Sequence, residues 1–473
     1  MTDISDFINQ LNSIIEPNTA VMENTVVTGN TVTKELAMET GMATGMVTGM
    51  VTGTGMITGT GMVTGTGMDK QKTILIVSTH INQSNGYSKV IHNIIKELSK
   101  IPWFKIVHFG TQKIASGDIG RQYPPAVKVI DATLMEKTKQ LGFAFSELPA
   151  VITSENPDVV FIYNDISVVC NYIEEIRKIP RLFKIWTYLD ITYTSPPQQM
   201  IDIINRDVER IFCFTKSWKD ELKINGITRP VDVLNHGIDS IIRPIPKEIA
   251  RQSLGLPKDV ILYTSLNRNI PRKRLDILVM AFVKLIVRFP TKPLFMLIVA
   301  DVGTRGGFSL FDIFAREIKL CGGNIDIFGN RLLITSKDTC YKDEDINILY
   351  NCGDIGVSCA EGEGYGLCTF EQMYLGIPQI VPKINGYTEF CNEDNSLMIT
   401  PSMRYYVPLL YNTVTGVAFM VDPEIVSKAM EKYAFDENLR KLHGKIGKAT
   451  ISEYTWDKCC AILIKRLKML EDD

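Results

Sequence analysis

Residues 360–381 read AEGEGYGLCTFEQMYLGIPQIV, with Glu363 and Glu371 set among glycines at 362, 364 and 366 and followed by a helix-like apolar stripe. The glycines let the backbone bend sharply and bring its amides close to a ligand, and the amino end of the following helix favours negative charge. A phosphate suits Gly364, Tyr365, Gly366 and Leu367. Carboxylates beside a phosphate are repelled by it. Glu363 and Glu371 therefore fit only if they flank it and accept hydrogen bonds from hydroxyls on either side. A nucleoside diphosphate sugar has that layout, in the order sugar, diphosphate, ribose, base. About 6 Å of helical rise separates Leu367 from Glu371, so one carboxylate could reach sugar hydroxyls and the other ribose hydroxyls. Either glutamate alone reads equally well as an ordinary acid favoured by the helix dipole.

A second feature raises the chemical reading. After the apparent strand VILYT comes SLNRNIPRKRLDILVMAF, which places Arg268 and Lys273 at the mouth of another helix. A departing diphosphate needs cations, and Arg and Lys supply them without a metal. The alternative for Arg268, Arg272, Lys273 and Arg274 is a nuclear-import or nucleic-acid patch, disfavoured by its place in a loop between strand and helix. Gly86, in THINQSNGYSK after the strand ILIVS, suits close approach to an anion or sugar, and an ordinary strand-to-helix turn explains it as readily. His80 in the same loop reads as a solvated or structural histidine. Asp343, Glu344 and Asp345 superficially match an Asp-x-Asp metal site, but their position ahead of INILY makes helix capping the better account. No metal ligand set and no essential divalent ion are expected.

These residues need elements to hold them. From KTILIVS onward the chain alternates apolar strand candidates with helix-length stretches: FKIVHFG, DVVFIY, FKIWTYL and RIFCFT first, then VILYTSL, PLFMLIVA, NIDIFG, DIGVSC and PQIVP. Such alternation predicts two successive doubly wound α/β units, divided near VDVLNHGIDS. Where two such units face each other, strand carboxyl ends and helix amino ends line the cleft, so chemistry belongs in the loops after strands.

The chain has 473 residues, 45% of them hydrophobic, and a formal net charge of -2, which gives no support to a polyanion-binding surface over the whole molecule. Ten cysteines without CxxC or metal-ligand spacing, and no apolar leader, suggest a reducing, cytoplasmic setting. Cys352, Cys359 and Cys368 should pack as small apolar residues. The apolar runs are too short for the roughly 18 residues of a spanning helix, leaving peripheral membrane contact open. Between Gly41 and Met68 a tandem array settles into VTGTGM, ITGTGM and VTGTGM. So glycine-rich a repeat has little surface to bury against backbone entropy, and disorder is expected ahead of a small β-solenoid.

The chain resembles the retaining GT-B glycosyltransferases of family 4. Their glycine-linked Glu-x7-Glu element is matched by EGYGLCTFE and followed by GIPQIV, and the likeness extends over NRNIPRK, LYNCGDIGVSCAEGEGYG, INGYTE and NHGID. It covers roughly residues 72–465, strongly in the second half and loosely in the first. Beyond the low-complexity segment at 1–70, the resemblance implies a GT-B fold: a Rossmann-like acceptor domain at 71–237, a Rossmann-like donor domain at 238–452, and a last helix at 453–473 crossing back. It implies that Arg268 and Lys273 meet the diphosphate, Glu363 the donor sugar and Glu371 the ribose. The reaction implied is transfer of a hexose-type unit from a nucleoside diphosphate sugar to an acceptor hydroxyl with retention, with no separate cofactor. One departure matters. Where the family often carries a His-Asp pair, this chain reads WTYLDITYTS, with Leu189 before Asp190. Asp190 either orients an acceptor or caps the next segment. A non-catalytic nucleotide-sugar-binding scaffold and a nucleotide-sugar epimerase are the rival expectations.

Overall fold

The computed structural model describes residues 71–300, 306–335, 341–408 and 415–471. The hexad array lies outside the described residues.

Two parallel sheets organise the chain. The first has seven strands, β1 (Lys72–Thr79), β2 (Phe104–Thr111), β3 (Lys128–Asp131), β4 (Val159–Asp165), β5 (Lys184–Asp190), β6 (Arg210–Cys213) and β7 (Val231–Val233), in the order β3-β2-β1-β4-β5-β6-β7. The second has six, β8 (Ile261–Leu266), β9 (Leu294–Val299), β10 (Leu332–Ile334), β11 (Ile355–Val357), β12 (Gln379–Pro382) and β13 (Ser396–Ile399), in the order β10-β9-β8-β11-β12-β13. An antiparallel hairpin, β14 (Met403–Val407) with β15 (Gly416–Met420), follows. The strand order reverses beside β1 and again beside β8, and a crevice opens at such points outside the carboxyl ends of the strands.

Strands covered on both faces should read as unbroken apolar runs, and β1 does. Its Ile74, Leu75, Ile76 and Val77 are all essentially inaccessible. Each such side chain contributes about 1.5–3 kcal/mol through burial, so these central strands form a stiff base for the loops beyond them. Five helices matter for the site: α1 (Gly86–Ser99), α2 (Leu275–Arg288), α3 (Asp343–Asn351), α4 (Leu367–Tyr374) and α5 (Trp456–Lys468). Helix α1 starts where Asn85 accepts a hydrogen bond from the Ser88 N–H at 2.9 Å, satisfying one of its orphan donors. Helix α5 buries Cys460, Leu463 and Leu467 in the same apolar cluster as the first sheet and α1, and Arg466 forks onto Asp232 in β7.

The two doubly wound units expected from the strand-helix alternation are present. One strand is corrected. NIDIFG forms a short helix over Ile325–Phe328, capped by the Asn324 side chain, and the edge strand is the next segment, β10. Its alternation mimicked a strand, yet Ile325 and Ile327 are exposed and only Phe328 is buried. Cys352 and Cys359 are buried free thiols, as their apolar surroundings suggested, whereas Cys368 is partly accessible.

Candidate active site in the cleft

The carboxyl ends of β1, β4, β5 and β8, the loop after β11 and the amino ends of α1 and α4 enclose a cavity of about 680 Å³. A second hollow of about 830 Å³ lies at Val260, Ile261, Pro293 and Asp354, the amino-terminal edge of the second sheet, away from every residue singled out by the sequence. The cleft cavity is lined by Gly86, Asp190, Arg268, Lys273, Glu363, Gly364, Tyr365, Gly366, Leu367 and Glu371, so all ten sequence-expected residues come together.

The turn before α4 is built for close approach. Gly366 has φ +93, and a Cβ there would lie 2.3 Å from the Tyr387 ring. At Gly364 a Cβ would meet Asp190 Oδ1 at 2.0 Å, so glycine lets the turn lie against the carboxyl end of β5. None of the N–H groups of Gly364, Tyr365, Gly366 and Leu367 finds a backbone acceptor among the described residues, and no side chain caps α4. Four amides at a helix amino end make a favourable place for an anion. Tyr365 offers only its backbone to the cleft. Its ring is buried against His236, with centroids 4.3 Å apart, and its hydroxyl donates to the His236 carbonyl. Gly86 faces Leu367 across the cleft, where a Cβ would be at an ordinary 3.8 Å.

Glu363 is held by cations. Its Oε2 accepts from Lys273 Nζ at 2.5 Å and from Arg272 Nη1 at 3.1 Å, and Arg272 also donates to the Gly362 carbonyl at 2.8 Å. Burial pushes the Glu363 carboxyl up, but the two cations outweigh it and hold its pKa below the ordinary value. Lys273 is thus a partner of Glu363 in this conformation. Arg268, in contrast, is exposed to the cleft, and its side chain makes no ion pair or hydrogen bond among the described residues. It is the cation with donors to spare.

Glu371 is met from the opposite side of the cleft. Lys89 on α1 places its Nζ 2.5 Å from Oε1, and the Tyr350 hydroxyl on α3 donates to Oε2 at 2.9 Å. Burial opposes both charges. Glu371, Asp343 and Asp239 surround Lys89 and carry its pKa above the ordinary value, whereas Glu371 has one cation and is left raised.

Asp190 ends β5, where its Oδ2 accepts from the Tyr87 hydroxyl at 2.6 Å and its Oδ1 has no partner among the described residues. Burial pushes its pKa up to about 6, against the Tyr87 bond and Arg272, with Asp165 and Glu363 adding to the rise. Leu189, where the family often has histidine, is buried in the core. His80 is structural: it is buried, and its Nδ1 accepts the Asn82 N–H at 3.2 Å.

The expected capping by KDED holds for Asp345, which accepts the Lys342 N–H at 3.0 Å. Asp343 does something else: Arg121, beyond β2, forks onto it at 2.7 and 2.8 Å. Lys89, Tyr350, Tyr87 and the Arg121–Asp343 pair were not singled out by the sequence. The only local hint was the polar GYSK at the start of α1.

No family model matches the chain. D-inositol 3-phosphate glycosyltransferase 2 of Catenulispora acidiphila is 30% identical over 160 residues, and the match spans 33% of this chain and 35% of that protein. Among solved structures, a sucrose-phosphate synthase from Thermosynechococcus elongatus superposes with a TM-score of 0.65 at 13% identity, covering 85% of this chain and 99% of that one. HepE of Anabaena, in complex with UDP and glucose, superposes with a TM-score of 0.59 at 15% identity, covering 84% and 99%. With its two facing parallel sheets, the chain has the GT-B fold.

Proposed function

We propose that this chain of GT-B fold is a glycosyltransferase moving a sugar from a nucleoside diphosphate sugar to an acceptor hydroxyl. The observation that carries the reading is the convergence, in one cavity, of the uncapped α4 amides, the Arg268 side chain, without a partner among the described residues, and two carboxylates held on either side of them. The glycosyltransferase that matches part of the sequence, and the UDP complex of HepE, support the same class of ligand.

In this reading the diphosphate sits on the Gly364–Leu367 amides with Arg268, the donor sugar beside Glu363 and the ribose beside Glu371. As the bond from sugar to diphosphate weakens, negative charge gathers on the leaving oxygens, where fixed amides and Arg268 stabilise it without reorganising. Lys273 and Arg272 hold Glu363 as an anion next to a sugar ring gaining positive charge. Asp190, at the end of the first sheet and lining the cleft, orients the acceptor. The family resemblance implies retention of configuration, and a leaving phosphate oxygen would then take the acceptor's proton. Residues 71–237 serve as the acceptor half and 238–452 as the donor half. Cations held by the chain take the place of a divalent ion.

Incubating the protein with a panel of nucleoside diphosphate sugars and candidate acceptors, with EDTA present, tests the proposal. Release of nucleoside diphosphate with a glycosylated product of unchanged anomeric configuration is expected. Binding without release would support a scaffold, and a product of unchanged mass an epimerase.

A further inference from the structure

Lys89 takes no part in the donor chemistry above, yet it stands within it. It projects from α1, on the side of the first sheet, and its ion pair with Glu371 is closed off from water, with the two side chains 8% and 3% exposed. Lys89 and Tyr350 each occupy one oxygen of the Glu371 carboxylate. A carboxylate has about four lone-pair sites, so one on each oxygen stays open. Two adjacent acceptor sites are what a vicinal diol requires.

We infer that Lys89 is a positioning residue for the ribose: with Tyr350 it fixes the Glu371 carboxylate so that its remaining lone pairs accept the 2′ and 3′ hydroxyls. The inference rests on the nucleoside diphosphate reading. Other groups around the pair do not substitute for Lys89. Asp239 and Asp343 are both acids; Asn93 bonds Asp239 at 2.8 Å, and Arg121 is committed to Asp343. Cys368 lies next to Tyr350 and brings no cation. Without Lys89, Glu371 is a buried carboxyl facing other acids, and protonation turns one of its acceptor sites into a donor. Because Lys89 and Glu371 come from opposite sides of the cleft, the ribose site is complete only with the two sheets in the arrangement seen here.

Titration of UDP, 2′-deoxy-UDP and 3′-deoxy-UDP into wild type, Lys89→Met and Lys89→Arg tests this by calorimetry. Wild type should bind UDP about 10-fold or more tighter than either deoxy analogue, each having lost a hydrogen bond to a charged group. In Lys89→Met the three affinities should fall to within about 3-fold of one another, and Lys89→Arg should restore the discrimination. Lys89→Gln, which keeps a donor without charge, replaces the Met variant if that one does not fold. Full discrimination in the Met variant, or tighter UDP binding by it, overturns the inference. Wild-type binding of UDP without discrimination also overturns it and leaves the nucleotide reading standing. Failure to bind any of the four common nucleoside diphosphates overturns that reading itself, and this inference with it.

Discussion

Replacing Asp190 with asparagine should stabilise the protein at neutral pH and leave it unchanged in acid. The carboxyl at the end of β5 has its pKa pushed up to about 6 by burial, with Asp165 and Glu363 adding to the rise. In the unfolded chain an aspartate titrates near 3.9. Between those values the folded state binds more protons than the unfolded one, so stability falls as pH rises from about 4 to about 6. Above that window the full cost of holding the buried carboxylate charged is present, roughly 3 kcal/mol. Asparagine keeps an acceptor for the Tyr87 hydroxyl and carries no charge. Thermal unfolding of Asp190→Asn against wild type should therefore show a gain of a few degrees at pH 7.5, given about 1–2 °C per kcal/mol when the usual scaling is extended to a body this large. At pH 4 the two curves should nearly coincide. A difference that is the same at both pH values, or a loss at pH 7.5, would refute the assignment of a strained carboxylate at this position.

Arg268→Ala should weaken nucleoside diphosphate binding by about 10- to 150-fold, the worth of one charge-assisted contact. Because the Arg268 side chain has no protein partner among the described residues, the melting temperature of the variant should stay within about 1–2 °C of wild type, as measured by titration and melting on the same sample. Gly364→Ala should cost about 1–3 kcal/mol, because its Cβ would lie 2.0 Å from Asp190 Oδ1. Combining it with Asp190→Gly should return most of that loss in chemical denaturation.

Much of the fold was legible because parallel strands buried on both faces leave nearly continuous apolar runs, as in β1, β4 and β9. Short and edge strands were harder to read. The segments β3, β10, β13 and the β14–β15 hairpin span three to five residues each, too few for periodicity to outweigh neighbouring helix signals. At the site, Glu363 and Glu371 stood out because both lie in one local stretch with glycines. Their partners did not. Lys89 meets Glu371, and Arg121 meets Asp343 across 222 positions, only after both sheets have formed. Nothing local distinguishes such residues from solvated charges on a helix. Lys273 illustrates the converse: its position marked it as a cation of the site, while its pairing with Glu363 could come only from the folded turn.

The central claim is that Glu363 and Glu371 grip the sugar and the ribose on opposite sides of one diphosphate, and titrating Glu363→Ala and Glu371→Ala with UDP and with a UDP-sugar tests it most directly. Glu371→Ala should weaken both ligands, since both contain ribose. Glu363→Ala should spare UDP and weaken only the conjugate, by about 10- to 150-fold in affinity or turnover. Equal losses for both ligands in the Glu363 variant, on protein shown to be folded, would contradict the account.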